Sequence, residues 1–348
     1  MTAPARPATE LLSIQYLRAI AAMLIVLYHL HLHFARMGHD GYWPPWLASG
    51  VDIFFVISGC IMWITTDERP PTPARFYLKR IVRIVPLYWL LTSFVVLVML
   101  VSPASLQSLR FELPHVLASY AFLPWTHPVT GLPEPALIPG WTLNYEMFFY
   151  AVFGAALPLP PARRLAVVAT LLTGLVALGA VLPAGPTAWS FYSAGIMMEF
   201  ALGMGIGRLA VLGRLPSPPL AWTALVAGLL AIPLATAWGP GLPRLAVWGL
   251  PAAAIVLGAL SLDRAGGIPS LALPRILGDA SYSIYLSHGI VLAAIARFWT
   301  QLAPSGSTAG VVMFGVVATA AATAAGVLLF LAVERPLVRR LRPSAASR

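Results

Sequence analysis

An arginine and a histidine lie 11 positions apart in one long apolar run, YLRAIAAMLIVLYHLH, at residues 16–31. In a helix this spacing amounts to about 1100° of rotation, so Arg18 and His29 would lie about 20° apart around the helix and about 16 Å apart along its axis. Two ionisable groups on one face of an apolar helix indicate a polar path through the protein interior. Two simpler alternatives stay open: Arg18 extends toward the lipid headgroups, and His29 is a structural histidine with a satisfied ring.

A second group of side chains suits the binding of an anion. The segment RFYLKRIVRIVPLYW, residues 75–89, carries Arg75, Lys79, Arg80 and Arg83. Guanidinium groups match phosphate oxygens in geometry and in charge, so this cluster predicts a docking site for a phosphorylated cytosolic donor. Ordinary anchoring of a membrane helix by cytoplasmic cations is the alternative explanation.

Further ionisable side chains are expected at membrane depth, where each costs roughly 3 kcal/mol and is a functional candidate. Asp52 lies in GVDIFFVISGC, Glu146 in WTLNYEMFFY and His288 in GDASYSIYLSH, and Glu199 belongs to the same group. Tyr285 precedes His288 by one helical turn and offers a hydroxyl that either lines a cavity or bonds to its neighbours. Pairing within the core explains each of these groups equally well.

The triplet His29, His31 and His33 raises the question of a metal site. His29 and His33 are four positions apart and share a helix face, while His31 points elsewhere. A zinc site needs further ligands, and no residue nearby has a suitable spacing. Cys60 is the single cysteine, so no disulfide within the chain and no cysteine-based metal site can form. We expect no metal site and interpret His31 and His33 as interfacial residues.

Membrane-spanning helices must position these side chains. The chain is 59% hydrophobic and 10% charged, with a mean hydropathy of +0.82, which no soluble domain requires. We therefore predict an all-α integral membrane protein with about ten transmembrane helices. The predicted spans are residues 14–34, 49–66, 81–101, 141–158, 165–183, 190–210, 220–237, 244–262, 280–298 and 309–333. The first is kept as a span because it is too long for a signal-peptide core and no cleavage site follows it.

Membrane topology, not nucleic acid, explains the net charge of +10. With a cytoplasmic N-terminus, ten spans leave four basic residues outside (Arg36, Arg110, Arg244 and Arg297) against the other 18 of the 22 Lys and Arg inside. Both termini are therefore predicted to be cytoplasmic. The long segment 102–140 is predicted to lie outside, where it could cover a substrate entrance. No linker divides the chain, so residues 1–348 are predicted to form one membrane domain without a fused soluble domain.

Several motifs in combination resemble the acyltransferase-3 family of integral membrane acyltransferases. They are Arg-x10-His in the first span, VDIFFVISG, Arg-x-x-Arg at the third span, WTLNYEMFFY, SYSIYLSH and a terminal VERP. The opening IQYLRAIAAMLIVLYH is similar to the exopolysaccharide acetyltransferase branch, and the resemblance covers essentially the full length. Cys60 departs from the aromatic or larger apolar residue that often follows ISG in the family.

This resemblance implies transfer of an acyl group, commonly acetyl from acetyl-CoA, to a hydroxyl of a cell-surface glycan precursor at the bacterial inner membrane. His29 is then expected to act as the general base or to carry the acyl group itself. Arg18 would stabilise negative charge or hold the donor. Arg80, Arg83 and Lys79 would bind the phosphates of CoA.

Glu146 is expected to orient the histidine or to bind sugar hydroxyls, with Asp52, Tyr285 and His288 as supporting or substrate-contacting residues. No permanently bound cofactor is expected. The implied partners are acyl-CoA, a glycan or lipid-linked saccharide, and the lipid bilayer. A membrane transporter or exporter is the competing class, but the two halves of the chain show no matching pair of broken helices. A purely structural membrane protein would leave the buried ionisable residues unexplained.

Overall fold

A bundle of helices makes up the protein in a computed structural model that describes residues 11–39, 41–67, 70–102, 110–183, 185–239, 241–302 and 307–341. No strand occurs in these ranges. The helices are α1 Leu12–Arg36, α2 Gly50–Thr66, α3 Pro73–Val101, α4 Leu113–Tyr120, α5 Trp141–Ala156, α6 Pro161–Val181, α7 Thr187–Tyr192, α8 Met198–Val211, α9 Pro218–Trp238, α10 Leu250–Arg264, α11 Ala272–Asp279, α12 Ser281–Leu302, α13 Thr308–Leu329 and α14 Arg335–Leu341. The predicted cytoplasmic termini, at residues 1–10 and 342–348, lie outside the described residues.

Seven helical segments of the described chain are long and apolar enough to cross a membrane. They are Leu12–Arg36, Pro45–Thr66, Pro73–Val101, Pro161–Val181, Pro218–Trp238, Leu245–Arg264 and Thr308–Leu341. The all-helical membrane class is thus confirmed, whereas the predicted number of ten is not. The other predicted spans correspond to α5, to α7 with α8, and to α12. α5 and α8 have only 16 and 14 residues, where a simple crossing needs about 20, and α12 is enriched in hydroxyl groups.

The third span begins earlier than the predicted 81–101. α3 starts at Pro73, with the side chain of Thr72 accepting a hydrogen bond from the backbone N–H of Arg75. Proline at the first turn and threonine at the cap are both favourable helix starts. Arg80 and Arg83 consequently lie in the second and third turns of one rigid helix, rather than at its frayed end.

The predicted span 190–210 is broken into two helices. α7 ends at Tyr192, and a short 3-10 turn, Gly195–Met197, leads into α8. α8 then packs very closely on α2: a Cβ atom at Gly59 would lie 2.1 Å from the Phe200 carbonyl oxygen, and one at Gly203 would lie 2.0 Å from that of Val56. Small residues that let two helix backbones touch are typical of helix pairs in membranes.

α1 lies among other helices and is fixed at its first turn. It packs against α2, α10, α11, α12 and α13. The backbone N–H and the hydroxyl of Ser13 both donate to Oδ2 of Asp263, at 2.9 and 2.8 Å, which joins the start of α1 to the end of α10. The face of α1 that carries Arg18 and His29 is therefore held against its neighbours, and the two residues lie on one unbroken helix.

Candidate active site

A cavity of about 740 Å³ lies between α1, α2, α3, α5 and α12. Its size is within the range of sites that hold a small molecule or cofactor. Five of the predicted site residues line it, namely Arg18, Arg80, Arg83, Glu146 and Tyr285. Four others are not in its wall, namely His29, Lys79, Asp52 and His288. The arginines of the Arg-x10-His and Arg-x-x-Arg motifs therefore line the same cavity.

Arg83 is held in the cavity wall by a carboxylate from the other end of the chain. Its guanidinium forms an ion pair with Oε1 of Glu334, and the hydroxyl of Ser283 donates to Oε2 of the same carboxylate at 2.5 Å. Glu334 is 1% exposed and ends a π-helical turn, Phe330–Glu334, whose extra residue changes the direction of the last side chains of the helix. The side chain of Arg83 stays 32% exposed, so part of its fork still faces the cavity.

Arg80 and Glu146 form a second polar group in the wall. The guanidinium carbon of Arg80 lies 5.6 Å from the ring centres of both Phe76 and Tyr150, within the range of cation–π attraction. The Glu146 carboxylate accepts hydrogen bonds through Oε1 from Ser58, at 2.8 Å, and from the Tyr150 hydroxyl. The expectation that Glu146 orients His29 therefore finds no contact among the described residues. Glu146 instead presents a fixed carboxylate to the cavity.

One end of the cavity reaches the protein surface at the first turns of α1 and the last turns of α2 and α10. Leu11, Gln15, Thr65 and Arg264 line this end, and the side chains of Thr65 and Arg264 are exposed. Arg264 adds a cation to the wall that already contains Arg18, Arg80 and Arg83. The wall thus contains four guanidinium groups, which suits the binding of an anion.

The other end of the cavity is formed by aromatic and hydroxyl side chains. Phe54 and Tyr285 meet edge to face, with their ring centres 5.8 Å apart. The Tyr285 hydroxyl lies 3.0 Å from Oγ1 of Thr142 and donates to the Pro139 carbonyl oxygen at 3.1 Å. Tyr285 is therefore fixed at the inner end, where α5 and α12 approach each other.

The rings of His29 and His288 are neighbours and are tilted relative to each other. His288 lies one helical turn beyond Tyr285 on α12. Nε2 of His288 lies 3.1 Å from Nδ1 of His29, and the ring centres are 4.8 Å apart. Nδ1 of His288 lies 2.5 Å from the Tyr285 carbonyl oxygen, and the Tyr285 and His288 ring centres are 5.9 Å apart. The cavity therefore ends at Tyr285, whose backbone carbonyl oxygen bonds to the ring of His288.

Asp52 and Lys79 lie outside the cavity wall. Both carboxylate oxygens of Asp52 accept from Arg244, at 3.0 and 2.8 Å, and the Arg244 guanidinium stacks 4.6 Å from the ring centre of Trp248. Asp52 is 0% exposed, and both of its oxygens are engaged by Arg244, which supports a structural role. Lys79 is exposed on α3 and is not among the residues that line the cavity.

The other two histidines of the α1 triplet have partners of their own. Nδ1 of His31 lies 2.5 Å from the Tyr28 carbonyl oxygen, and the ring of His33 packs against Phe314 at 5.9 Å between centres. In the part of the chain that the structure describes, no group of three or more His, Cys, Asp or Glu residues could hold a metal ion. His29 is the member of the triplet that faces a second ionisable group.

Glu334 and Arg264 are site residues that sequence reasoning did not assign. VERP was noticed as a motif, and its glutamate follows a long apolar run, which is the signal that could have marked Glu334 as buried and paired. Arg264 offers no such signal, because a basic residue at the end of a membrane helix is ordinary.

Sequence comparisons identify the family to which the chain belongs. Residues 11–331 match a family described as an acyltransferase domain. The chain is 40% identical over 304 residues to the exopolysaccharide production protein ExoZ of Rhizobium meliloti (strain 1021), covering 85% of this chain and 90% of ExoZ. It is 27% identical over 342 residues to the acyltransferase MdmB of Streptomyces mycarofaciens, covering 85% and 83%.

A third relative shares a shorter region. The peptidoglycan O-acetyltransferase OatA of Listeria monocytogenes serovar 1/2a (strain ATCC BAA-679 / EGD-e) is 31% identical over 160 residues, which is 42% of this chain and 24% of OatA. No solved structure matches the chain. These relatives favour an enzyme over a transporter. The chain belongs to the acyltransferase-3 family of membrane acyltransferases, and it is an O-acyltransferase.

Proposed function

We propose that the protein moves an acyl group, acetyl in the simplest case, from cytoplasmic acyl-CoA to a hydroxyl of a cell-surface or exopolysaccharide glycan precursor. One observation carries this proposal: a single cavity holds Arg18, Arg80 and Arg83 at one end and stops one helical turn short of the His29–His288 pair at the other. The names of ExoZ and OatA, which point to exopolysaccharide and to O-acetylation, support the choice of acceptor and acyl group.

The donor enters from the end that Arg264 and Thr65 line. CoA is a polyanion with a long flexible thioester arm, and its phosphates bind Arg18, Arg80 and the free edge of Arg83. Lys79 contributes only long-range attraction, because its side chain is exposed outside the wall. The arm then extends along α1 past Phe54 and Tyr285 and presents the thioester near His29, with no permanently bound cofactor.

His29 acts on the acceptor at the far end. Its ring takes the proton of the sugar hydroxyl, the hydroxyl oxygen forms a bond to the thioester carbonyl carbon, and the carbon–sulfur bond breaks. The proton then passes from His29 to the departing thiolate, so the products are the O-acyl sugar and CoA–SH. In the variant mechanism the acyl group first forms a bond to His29 and then moves to the hydroxyl.

This arrangement requires the Arg18 end to face the cytoplasm. The proposed topology is one membrane domain of the bacterial inner membrane, with both termini cytoplasmic and residues 102–140 outside. Reporter fusions after Pro139 and after Arg348 test it. An extracytoplasmic signal at the first and a cytoplasmic signal at the second are expected, and a cytoplasmic signal after Pro139 would reverse the proposed direction of transfer.

Substitution of His29 tests the function directly. Membranes that contain the His29→Ala variant should transfer radiolabelled acetyl groups from acetyl-CoA to endogenous saccharide about 10²–10⁴ times more slowly, which is the usual cost of losing a general base. His31→Ala is the matched control on the same helix and should stay near the wild-type rate. Normal transfer by His29→Ala at equal protein level would remove His29 from the mechanism.

A further inference from the structure

The hydrogen bonds of His288 define where its ring proton lies. Nδ1 of His288 is 2.5 Å from the carbonyl oxygen of Tyr285. A carbonyl oxygen only accepts hydrogen bonds, so Nδ1 carries the proton and donates. In the neutral ring the other nitrogen, Nε2, then has a free lone pair, and this is the atom that faces His29.

The position of the ring proton of His29 follows from its neighbours in the same way. Its Nδ1 lies 3.1 Å from Nε2 of His288 and 2.9 Å from the Ile25 carbonyl oxygen. Both of these atoms are acceptors, so Nδ1 of His29 must be the protonated nitrogen. Its Nε2 is left with the lone pair, which is the form that a general base requires.

We propose that His288 is a positioning residue that holds His29 in this tautomer and stabilises the ring when it becomes charged. This inference rests on the proposed role of His29 in acyl transfer. When Nε2 of His29 takes the hydroxyl proton, the resulting imidazolium keeps its Nδ1–H bond to the lone pair of His288. The proton at Nε2 then leaves with the thiolate, and the pair returns to its starting state.

A neutral partner suits this depth in the protein. His288 is 0% exposed, and a buried carboxylate in its place would have to remain charged without solvent. The Ile25 carbonyl oxygen shares the same ring N–H at 2.9 Å, but as part of α1 it also accepts the helix bond of the His29 backbone N–H. The carboxylate that lines the cavity, Glu146, accepts from Ser58 and Tyr150 through Oε1, and among the described residues it makes no contact with His29 or His288.

Two substitutions separate an acceptor role from simple packing. In His288→Gln the side-chain oxygen reaches about as far as Nε2 did and can accept from His29. In His288→Asn the amide reaches only as far as Nδ1 did. We expect His288→Asn to lower kcat about 10–100-fold, as for other partners that orient a functional histidine, with the KM for acetyl-CoA unchanged. His288→Gln should recover a large part of kcat. Equal kcat values for the two variants, or a loss expressed in KM alone, would overturn the proposal.

Nitrogen NMR of the ¹⁵N-histidine-labelled full chain in lipid tests the tautomer without any assay of activity. The His29 signals, identified by their loss in His29→Gln, should show a protonated Nδ1 and an unprotonated Nε2. A scalar coupling across the hydrogen bond should join Nδ1 of His29 to Nε2 of His288. A protonated Nε2 on His29, or the absence of the coupling, would refute the inference whether or not acyl transfer is found. Failure of acyl transfer with the tautomer intact would instead refute the proposed function.

Discussion

Two buried arginine–carboxylate pairs invite comparison because they look alike in isolation. In Arg83–Glu334 and Arg244–Asp52 the arginine side chains are 32% and 34% exposed, and the carboxylates are 1% and 0% exposed. Both carboxylate oxygens of Asp52 accept from Arg244. Glu334 instead accepts from Arg83 through one oxygen and from Ser283 through the other. Arg83 faces a cavity with other cations, and Arg244 stacks on Trp248. We therefore propose that the neighbours of each arginine, and not the ion pair itself, distinguish the expected donor-binding Arg83 from the structural Arg244.

The largest effect is expected from breaking the structural pair. Arg244→Ala leaves the Asp52 carboxylate buried without a counter-ion, which should lower the free energy of unfolding by about 3–5 kcal/mol. The midpoint of thermal unfolding in detergent measures this. Adding Asp52→Asn to Arg244→Ala should restore part of the loss, because the uncompensated charge is gone. The KM for acetyl-CoA of the folded fraction should not change, and an increase in this KM would place Arg244 in the donor site.

The next largest effect is expected on the binding of the acyl donor. Replacing Arg80 and Arg83 together by Gln should raise the KM for acetyl-CoA about tenfold or more, since each charge-assisted hydrogen bond to a phosphate contributes about 1.5–3 kcal/mol. The matched control is Arg244→Gln, which removes a similarly exposed guanidinium away from the cavity. Unchanged donor affinity in the double variant would reduce Arg80 and Arg83 to anchors of membrane topology.

A smaller effect is expected from Ser283. Ser283→Ala removes one hydrogen bond to the buried Glu334 carboxylate and should lower the free energy of unfolding by about 1–3 kcal/mol. The ion pair to Arg83 remains, so the KM for acetyl-CoA should rise no more than a few-fold. A KM as high as that of the Arg80 and Arg83 double variant would mean that Ser283 itself contacts the donor.

The smallest effect is expected from Lys79. Its side chain is exposed and outside the cavity wall, and exposed charges contribute about 0–1 kcal/mol to interactions. Lys79→Gln should therefore change the KM for acetyl-CoA less than about threefold at physiological salt. A rise in KM comparable to that of the Arg80 and Arg83 double variant would restore Lys79 to the set of direct phosphate ligands.

Local patterns predicted the features that depend on local geometry. The spacing of Arg18 and His29 on one helix face follows from helical rotation, and α1 is unbroken from Leu12 to Arg36. The early start of α3 was missed because a search for apolar residues passes over cationic turns, although Thr72 and Pro73 signal a helix start. The break between α7 and α8 lies inside an apolar run, where hydropathy contains no information about backbone direction.

Partnerships between distant segments could not be predicted. Arg83 and Glu334 are 251 positions apart, Asp52 and Arg244 are 192 apart, and His29 and His288 are 259 apart. Apart from Arg244, which was only counted among the basic residues outside, each side chain was expected to be costly to bury or belonged to a motif, but pairing is decided by how the helices pack. Glu146 shows this limit: it was expected either to orient the histidine or to bind sugar hydroxyls, and its partners among the described residues are Ser58 and Tyr150.

The aromatic contact between Phe54 and Tyr285 bears on the electrical integrity of the membrane. A wet, cation-lined cavity that ran through the protein would conduct ions and dissipate the proton gradient of the cell. The cavity stops at these two rings and does not include the histidine pair in its wall. In the proposed reaction only the slender, uncharged thioester arm reaches past these rings with its acyl group, while the CoA phosphates, ions and bulk water stay on the side they came from. Cells can therefore hold many copies of such an enzyme without a cost in membrane potential.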